Sequence, residues 1–318
     1  MKTTFQLISS IALPIFLALA ACTADEATDN PGAPADAIRF IATIDGNTAA
    51  DVIDTRATIN SDGSGAFENG DKFKLWATGS SGVSFHVGYT IGTTVLRWDE
   101  FNEIGNEGSL TFSGAYPENA GIDQNEKIDI KGADNLDLLI APTVTVAKGE
   151  SVRLAFRHVM HRLVVNLSGN ALTEDELSVA EVQLSGDMYC AAIVDFTNAT
   201  AFADNSYMYG DENPPTRRGA TTTFILVPQD IRPYSEKITI TAGGQELTYT
   251  FPATLPGNEG TPPDTPRRLQ SGRTLTLNLA INTANRSAAA SAKPSTRATT
   301  TDDAALTLEC TGIDVSAW

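Results

Sequence analysis

Cys22 is the residue whose surroundings specify a reaction. Lys2 is followed by an apolar run from Ile11 to Ala21, and the run ends in Leu19-Ala20-Ala21-Cys22. Such a run is too short to span a bilayer as a permanent helix, and small residues directly before a cysteine suit a peptidase that cuts there. The pattern predicts a signal peptide over residues 1–21 and lipidation of the Cys22 thiol. The exported chain would then hang from a membrane by its lipid.

No other constellation points as clearly to chemistry. His158 and His161 are the close pair among three histidines. In extended chain their spacing sends the rings to opposite sides, and no third His or Cys lies near, so packed histidines fit better than a zinc site. There is no Gly-x-Ser-x-Gly elbow, and neither Cys190 nor Cys310 has a Cys-His context. An enzyme is therefore not expected, and neither is a cofactor or a metal. Asp45-Gly46-Asn47 with Asp51 lacks the Gly and the closing Glu of a calcium loop, which leaves a solvated turn. Trp76, Trp98 and Trp318 could make a sugar-stacking platform, but Trp76 sits in an alternating strand, where core or rim packing is the simpler expectation. Cys190 and Cys310 either pair in an oxidising compartment or stay as two free buried thiols. Removing residues 1–21 takes away one Lys and no acid, leaving 21 basic against 39 acidic residues, a net charge of −18. Nucleic acid is thereby excluded as an expected partner, since phosphate binding needs a basic patch.

The elements that would position these residues are strands. Residues 22–36 are rich in Ala, Asp, Pro and Thr and read as a flexible tether. From Ile38 onward the dominant signal is period-two alternation: Ile38, Phe40, Ala42 and Ile44, then Phe73, Leu75 and Ala77, then Leu110 and Phe112, then Val152, Leu154 and Phe156. The carboxy-terminal half repeats it with Ile238 and Ile240, and most clearly with Leu275, Leu277, Leu279 and Ile281. The pattern predicts an all-β fold of short strands, with one or two helical turns at Thr173–Val179. Val152, Leu154 and Phe156 occupy even positions but Leu163, Val165 and Leu167 odd ones, which places a bulge or break between His158 and His161 if both sets face one core. The polar break Ser168-Gly169-Asn170 separates two strand-rich halves, predicting domains over 37–167 and 172–318.

A family resemblance is carried by residues in order along nearly the whole mature chain. They are the lipobox, Thr-Arg-Ala-Thr at 55–58, Phe67-Glu68-Asn69-Gly70-Asp71-Lys72-Phe73, Phe112 to Pro117, Asp137 to Ala141, Phe156-Arg157-His158, Leu226-Val227-Pro228-Gln229, Ser271-Gly272-Arg273 and the terminal Ile313 to Trp318. Together they resemble the fimbrillin family of Bacteroides-type pilins. The resemblance implies two transthyretin-like β-sandwich domains in tandem, transit as a lipoprotein to the outer membrane through the lipid on Cys22, and assembly with other copies or related subunits by strand donation. On that scheme a protease cuts after Arg56, or less readily Arg39. The strand Ile38 to Ile44 then leaves, and another copy's carboxy-terminal region fills the groove. The segment ending at Ile281 and the stretch from Ala305 to Trp318 are the candidate donors. The alternative is a monomeric surface lipoprotein that binds glycan or another adhesion partner. Leu275, where an aromatic residue is common in the family, and the Ala- and Ser-rich stretch before Cys310 depart from the pattern.

Overall fold

The computed structural model describes residues 36–44, 58–59, 65–131, 136–185, 187–210, 214–231, 237–251, 255, 267–283 and 305–318. Cys22, residues 22–35 of the expected tether, the segment 45–57 and Arg56 lie outside the described residues. The alternation is realised: among the described residues, apart from one short helix and one 3₁₀ segment, every regular element is a strand.

The amino-terminal half contains β1 (Phe40–Ile44), β2 (Thr58–Ile59), β3 (Gly65–Ala66), β4 (Lys72–Thr78), β5 (Ser84–Thr90), the 3₁₀ segment Trp98–Ile104, β6 (Ser109–Tyr116), β7 (Lys127–Asp129), β8 (Leu139–Ala147) and β9 (Val152–His158). Six of these strands form one sheet in the order β1-β9-β8-β6-β4-β5. Its inner face carries Phe73, Leu75, Phe112, Leu139, Leu154 and Phe156, all buried. Trp98, Phe101 and Ile104 of the 3₁₀ segment are buried in the same core. Gly114 is required in β6, because a Cβ there would lie 2.8 Å from Cζ of Phe156.

The carboxy-terminal half contains β10 (His161–Ser168), α1 (Glu174–Ser178), β11 (Glu181–Leu184), β12 (Ala191–Asp195), β13 (Thr200–Ala203), β14 (Thr216–Arg218), β15 (Thr221–Leu226), β16 (Gln229–Ile231), β17 (Lys237–Ala242), β18 (Gln245–Thr250), β19 (Arg267–Leu269), β20 (Arg273–Thr283) and β21 (Leu306–Ala317). Two four-stranded sheets, β15-β10-β20-β21 and β14-β11-β17-β18, enclose a second core of Leu163, Val165, Ile238, Ile240, Leu277 and Leu279, among others. Helix α1 is set by a capping box: Thr173 Oγ1 accepts from the Glu176 amide, and the Glu176 carboxylate accepts from the Thr173 amide, which satisfies otherwise unpaired helix-end donors.

A third core joins the halves. The small sheet β13-β12-β7 takes β7 from one half and β12 and β13 from the other, and it packs with Ala115, Ile140, Met160 and Val227. Residues Asp36–Trp318 hold together as one compact unit.

The phase slip falls where it was expected, between β9 and β10, but the two apolar sets face different cores. The chain changes sheets at Val159-Met160, ahead of the Ser168-Gly169-Asn170 break, and β10 pairs with β15 and β20 of the carboxy-terminal half. Val159 and Met160 are fully buried and the flanking His158 and His161 are buried too, so no exposed polar turn marks the crossing. Of the two alternatives for Cys190 and Cys310, the bridge is corrected and the pair of buried thiols is half met: both thiols are free, and only Cys190 is buried. Cys190 lies in the joining core, while Cys310 is exposed on β21 opposite Leu279. Burial, with Asp129 adding to it, pushes the Cys190 thiol up, which makes it a poor nucleophile.

Candidate functional site

The expected site is a pair of sheet edges. At the first, β1 lies parallel to β9, with Phe40 opposite Val152 and Ile44 opposite Phe156. Parallel pairing of strands this far apart in sequence needs no turn, so β1 is placed by what it buries. Ile38 and Ile44 are buried, Phe40 and Ala42 half-buried. The Phe40 ring meets Tyr89 at 4.9 Å and Phe112 at 5.3 Å between centroids. Just before the strand, the Ile38 amide donates to Leu96 O at 2.8 Å and the Val152 amide to Arg39 O at 2.8 Å. The Arg39 side chain is exposed, but its backbone is already part of the pairing.

Strand β9 depends on this neighbour. Its pairing with β8 covers only Leu139 with His158 and Ile140 with Arg157. Without β1, the backbone of Val152–Phe156 would be an open edge beside an apolar groove, a surface that another extended strand can cover.

The second edge is β21. It runs antiparallel to β20 over its whole length, with a register shift between Asn278 and Leu279. Gly312 faces Asn278 and Cys310 faces Leu279, so Thr311 is the extra residue. The shift flips the alternation, and both Leu306 with Leu308 and Ile313 with Val315 pack on the second core. None of the four is fully buried. The other donor candidate, Leu275 to Ile281, lies in β20, between β10 and β21, and its four apolar residues are buried. Of the two candidates only β21 occupies an edge.

The end of β21 is pinned at the crossing between halves. The Trp318 indole stacks on the His158 ring at 4.5 Å and 18°, and the Trp318 amide donates to Gly272 O at 3.2 Å. His158, with no side-chain exposure, bonds through Nδ1 to Asp137 Oδ1 at 2.9 Å. Gly272, at φ +65°, sits where a Cβ would be 2.7 Å from His158 O, so only glycine fits there without strain.

The three tryptophans do not share one platform. Trp98 is buried in the first core and its indole N–H donates to Asn106 O at 3.0 Å. Trp318 stacks on His158, and Trp76, half-buried, meets Phe196 at 4.7 Å. Among the described residues no three His, Cys, Asp or Glu side chains gather to hold a metal ion, and no helix is long and apolar enough to cross a membrane.

The model of a family described as fimbrillin-like matches residues 55–302. Among solved structures, the fold is shared with a candidate cell adhesion protein from Bacteroides uniformis, at a TM-score of 0.53 and 13% identity, covering 79% of this chain and 93% of that one. It is also shared with a candidate cell adhesion protein from Bacteroides ovatus, at a TM-score of 0.52 and 15% identity, covering 90% and 98%. No curated protein matches.

Proposed function

The chain belongs to the fimbrillin-like family, and from that premise we propose that it is a structural fimbrial subunit. It is exported as a lipoprotein through Cys22, carried to the outer membrane, and assembled on the cell surface by proteolysis-triggered donor-strand exchange, contributing to adhesion. The observation that carries this reading is the placement of β1. It is an edge strand bonded to β9 and to the segment around Leu96, and the strand beneath it is otherwise paired over only two residues. A cut after Arg56 would leave β1 attached by non-covalent contacts alone. Its departure would open a groove that the β21 segment of another copy can fill, because β21 has apolar residues in a single facing row and a free outer edge.

Size-exclusion chromatography of the purified chain treated with an arginine-specific protease tests this. Cleavage after Arg56 should yield a ladder of multimers, and Arg56→Ala should stay monomeric. A ladder from Arg56→Ala, or a cleaved parent that remains monomeric with β1 bound, would overturn the mechanism.

A further inference from the structure

Trp76 lies outside the core into which β1 packs: Phe73, Leu75 and Ala77 of β4 are in that core with β1, and Trp76 is not. Alternation along β4 puts Lys74, Trp76 and Thr78 on the face turned away from the first core. The register sets His86 of β5 and Ser113 of β6 on either side of the indole. Residues 122–126, the end of β12 at Asp195 and the turn that follows it through Phe196 and Thr197 line, with this floor, a groove of about 650 Å³.

The chemistry of the lining is mixed and fixed. The indole is backed by Phe196, tilted at 54°, and Lys74 Nζ lies 5.2 Å from the ring centre. Asp123 Oδ1 accepts from the amides of Asn125 at 2.7 Å and Lys127 at 2.9 Å. Asp195 Oδ1 accepts from the amides of Thr197 at 2.8 Å and Asn198 at 3.1 Å. The Lys127 amide holds the Asp123 carboxyl below the usual carboxylate range, and the Asn198 side-chain amide does the same for Asp195. Both carboxylates are therefore charged acceptors held in position before any ligand arrives.

Three ligand classes can be weighed against this lining. An added peptide strand needs free backbone donors, but at the indole β4 is bonded to β5 on one side and β6 on the other, and the unpaired edge of β5 is its side away from Trp76. An anionic ligand meets Asp123, Glu126 and Asp195 on the walls and a chain of formal charge −17, which repel it. A neutral polyol suits an aromatic floor, which takes the apolar face of a pyranose ring, and polar groups of both signs, which take its hydroxyls. We propose that the Trp76 groove binds a neutral oligosaccharide, one ring packed on the indole and its hydroxyls bonded to Lys74, His86 and the wall carboxylates.

Isothermal titration of the uncleaved chain with soluble gluco-, manno-, galacto- and xylo-hexaoses, and with an oligogalacturonate as the anionic arm, tests the assignment. At least one neutral hexaose should saturate. Trp76→Ala should weaken it about tenfold, Trp76→Phe should largely restore it, and Trp318→Ala should leave it unchanged. His86→Ala, at an exposed position on an edge strand, should weaken binding about threefold and keeps the test valid if Trp76→Ala fails to fold. Saturation by no neutral hexaose, binding of the oligogalacturonate alone, or binding unaffected by both alanine variants would overturn the proposal. The assay uses the uncleaved chain, so failure of strand exchange does not bear on it.

Discussion

Strands β1 and β21 are both edge strands, yet they are held in opposite ways. Five-residue β1 has a slanted parallel ladder to β9, the weaker kind of pairing, and is anchored by Ile38 and Ile44, which are almost wholly out of water. Twelve-residue β21 has an antiparallel ladder along its length, but no side chain in it is fully buried. Side-chain burial keeps β1 in place and backbone pairing keeps β21 in place. An element held mainly by burial leaves a groove that demands refilling, whereas one held mainly by its ladder can be transferred to another edge offering the same ladder. On the proposed assembly scheme, this contrast is what would let one chain offer both an acceptor groove and a donor strand.

The sharpest way to break this comparison is to truncate matched residues. Ile44→Ala should cost about 4 kcal/mol, since it empties a fully buried site. Ile313→Ala, at a half-buried position, should cost about 1 kcal/mol. Denaturant unfolding measures both, and equal or reversed costs would end the distinction.

Acid should act on the β21 side. His161, at the start of β10, is buried, with Nδ1 bonded to Gln270 O at 2.9 Å, and it lines a small cavity with Arg273 and Val315. Burial lowers its pKa from 6.5 to about 4. The folded state therefore keeps the ring neutral while the unfolded chain takes up a proton. Stability should be level above pH 6.5, fall by about 3 kcal/mol as the pH drops toward 4, and level off again. His161→Leu should flatten that slope. The carboxyls of Asp204, held low by Lys127, and Glu176, held low by the Thr173 amide, lose their contribution only as pH falls through their depressed values, so the windows separate. Hydrogen exchange at pH 5 should quicken first around β10, β20 and β21, with β1 unchanged.

An effect as small as that of Ile313→Ala should come from Trp318→Ala. Losing the stack on His158 should cost about 1 kcal/mol and speed exchange at Val315–Ala317, while amides of Phe40–Ile44 stay as slow as in the parent. Faster exchange at β1 would mean that the two edges are coupled through the joining core.

Several features were legible in the amino-acid sequence, because they depend on residues that are neighbours along the chain. Alternation named the longer strands, the phase slip marked the break between β9 and β10 but not that the two apolar sets face different cores, and Thr173–Val179 read as a short helix. The 3₁₀ segment carried a signal that the strand pattern masked: Trp98, Phe101 and Ile104 recur at intervals of three, the period of that helix. The groove had none. Trp76, His86, Asp123 and Asp195 come from three strands and a loop, and no local spacing links them.

The amino-acid sequence by itself determined the all-β class, the longer strands and the apolar face of each, since these follow from periodicity and backbone preference within about ten residues. Tertiary structure alone decided which strand lies beside which. It made β1 a parallel edge on β9, put β20 inside a sheet and β21 outside it, kept Cys190 and Cys310 apart, and brought Trp76 to the floor of a groove. Pairing partners lie many residues apart, and a strand's own sequence fixes which face is apolar but not whose backbone satisfies its hydrogen bonds.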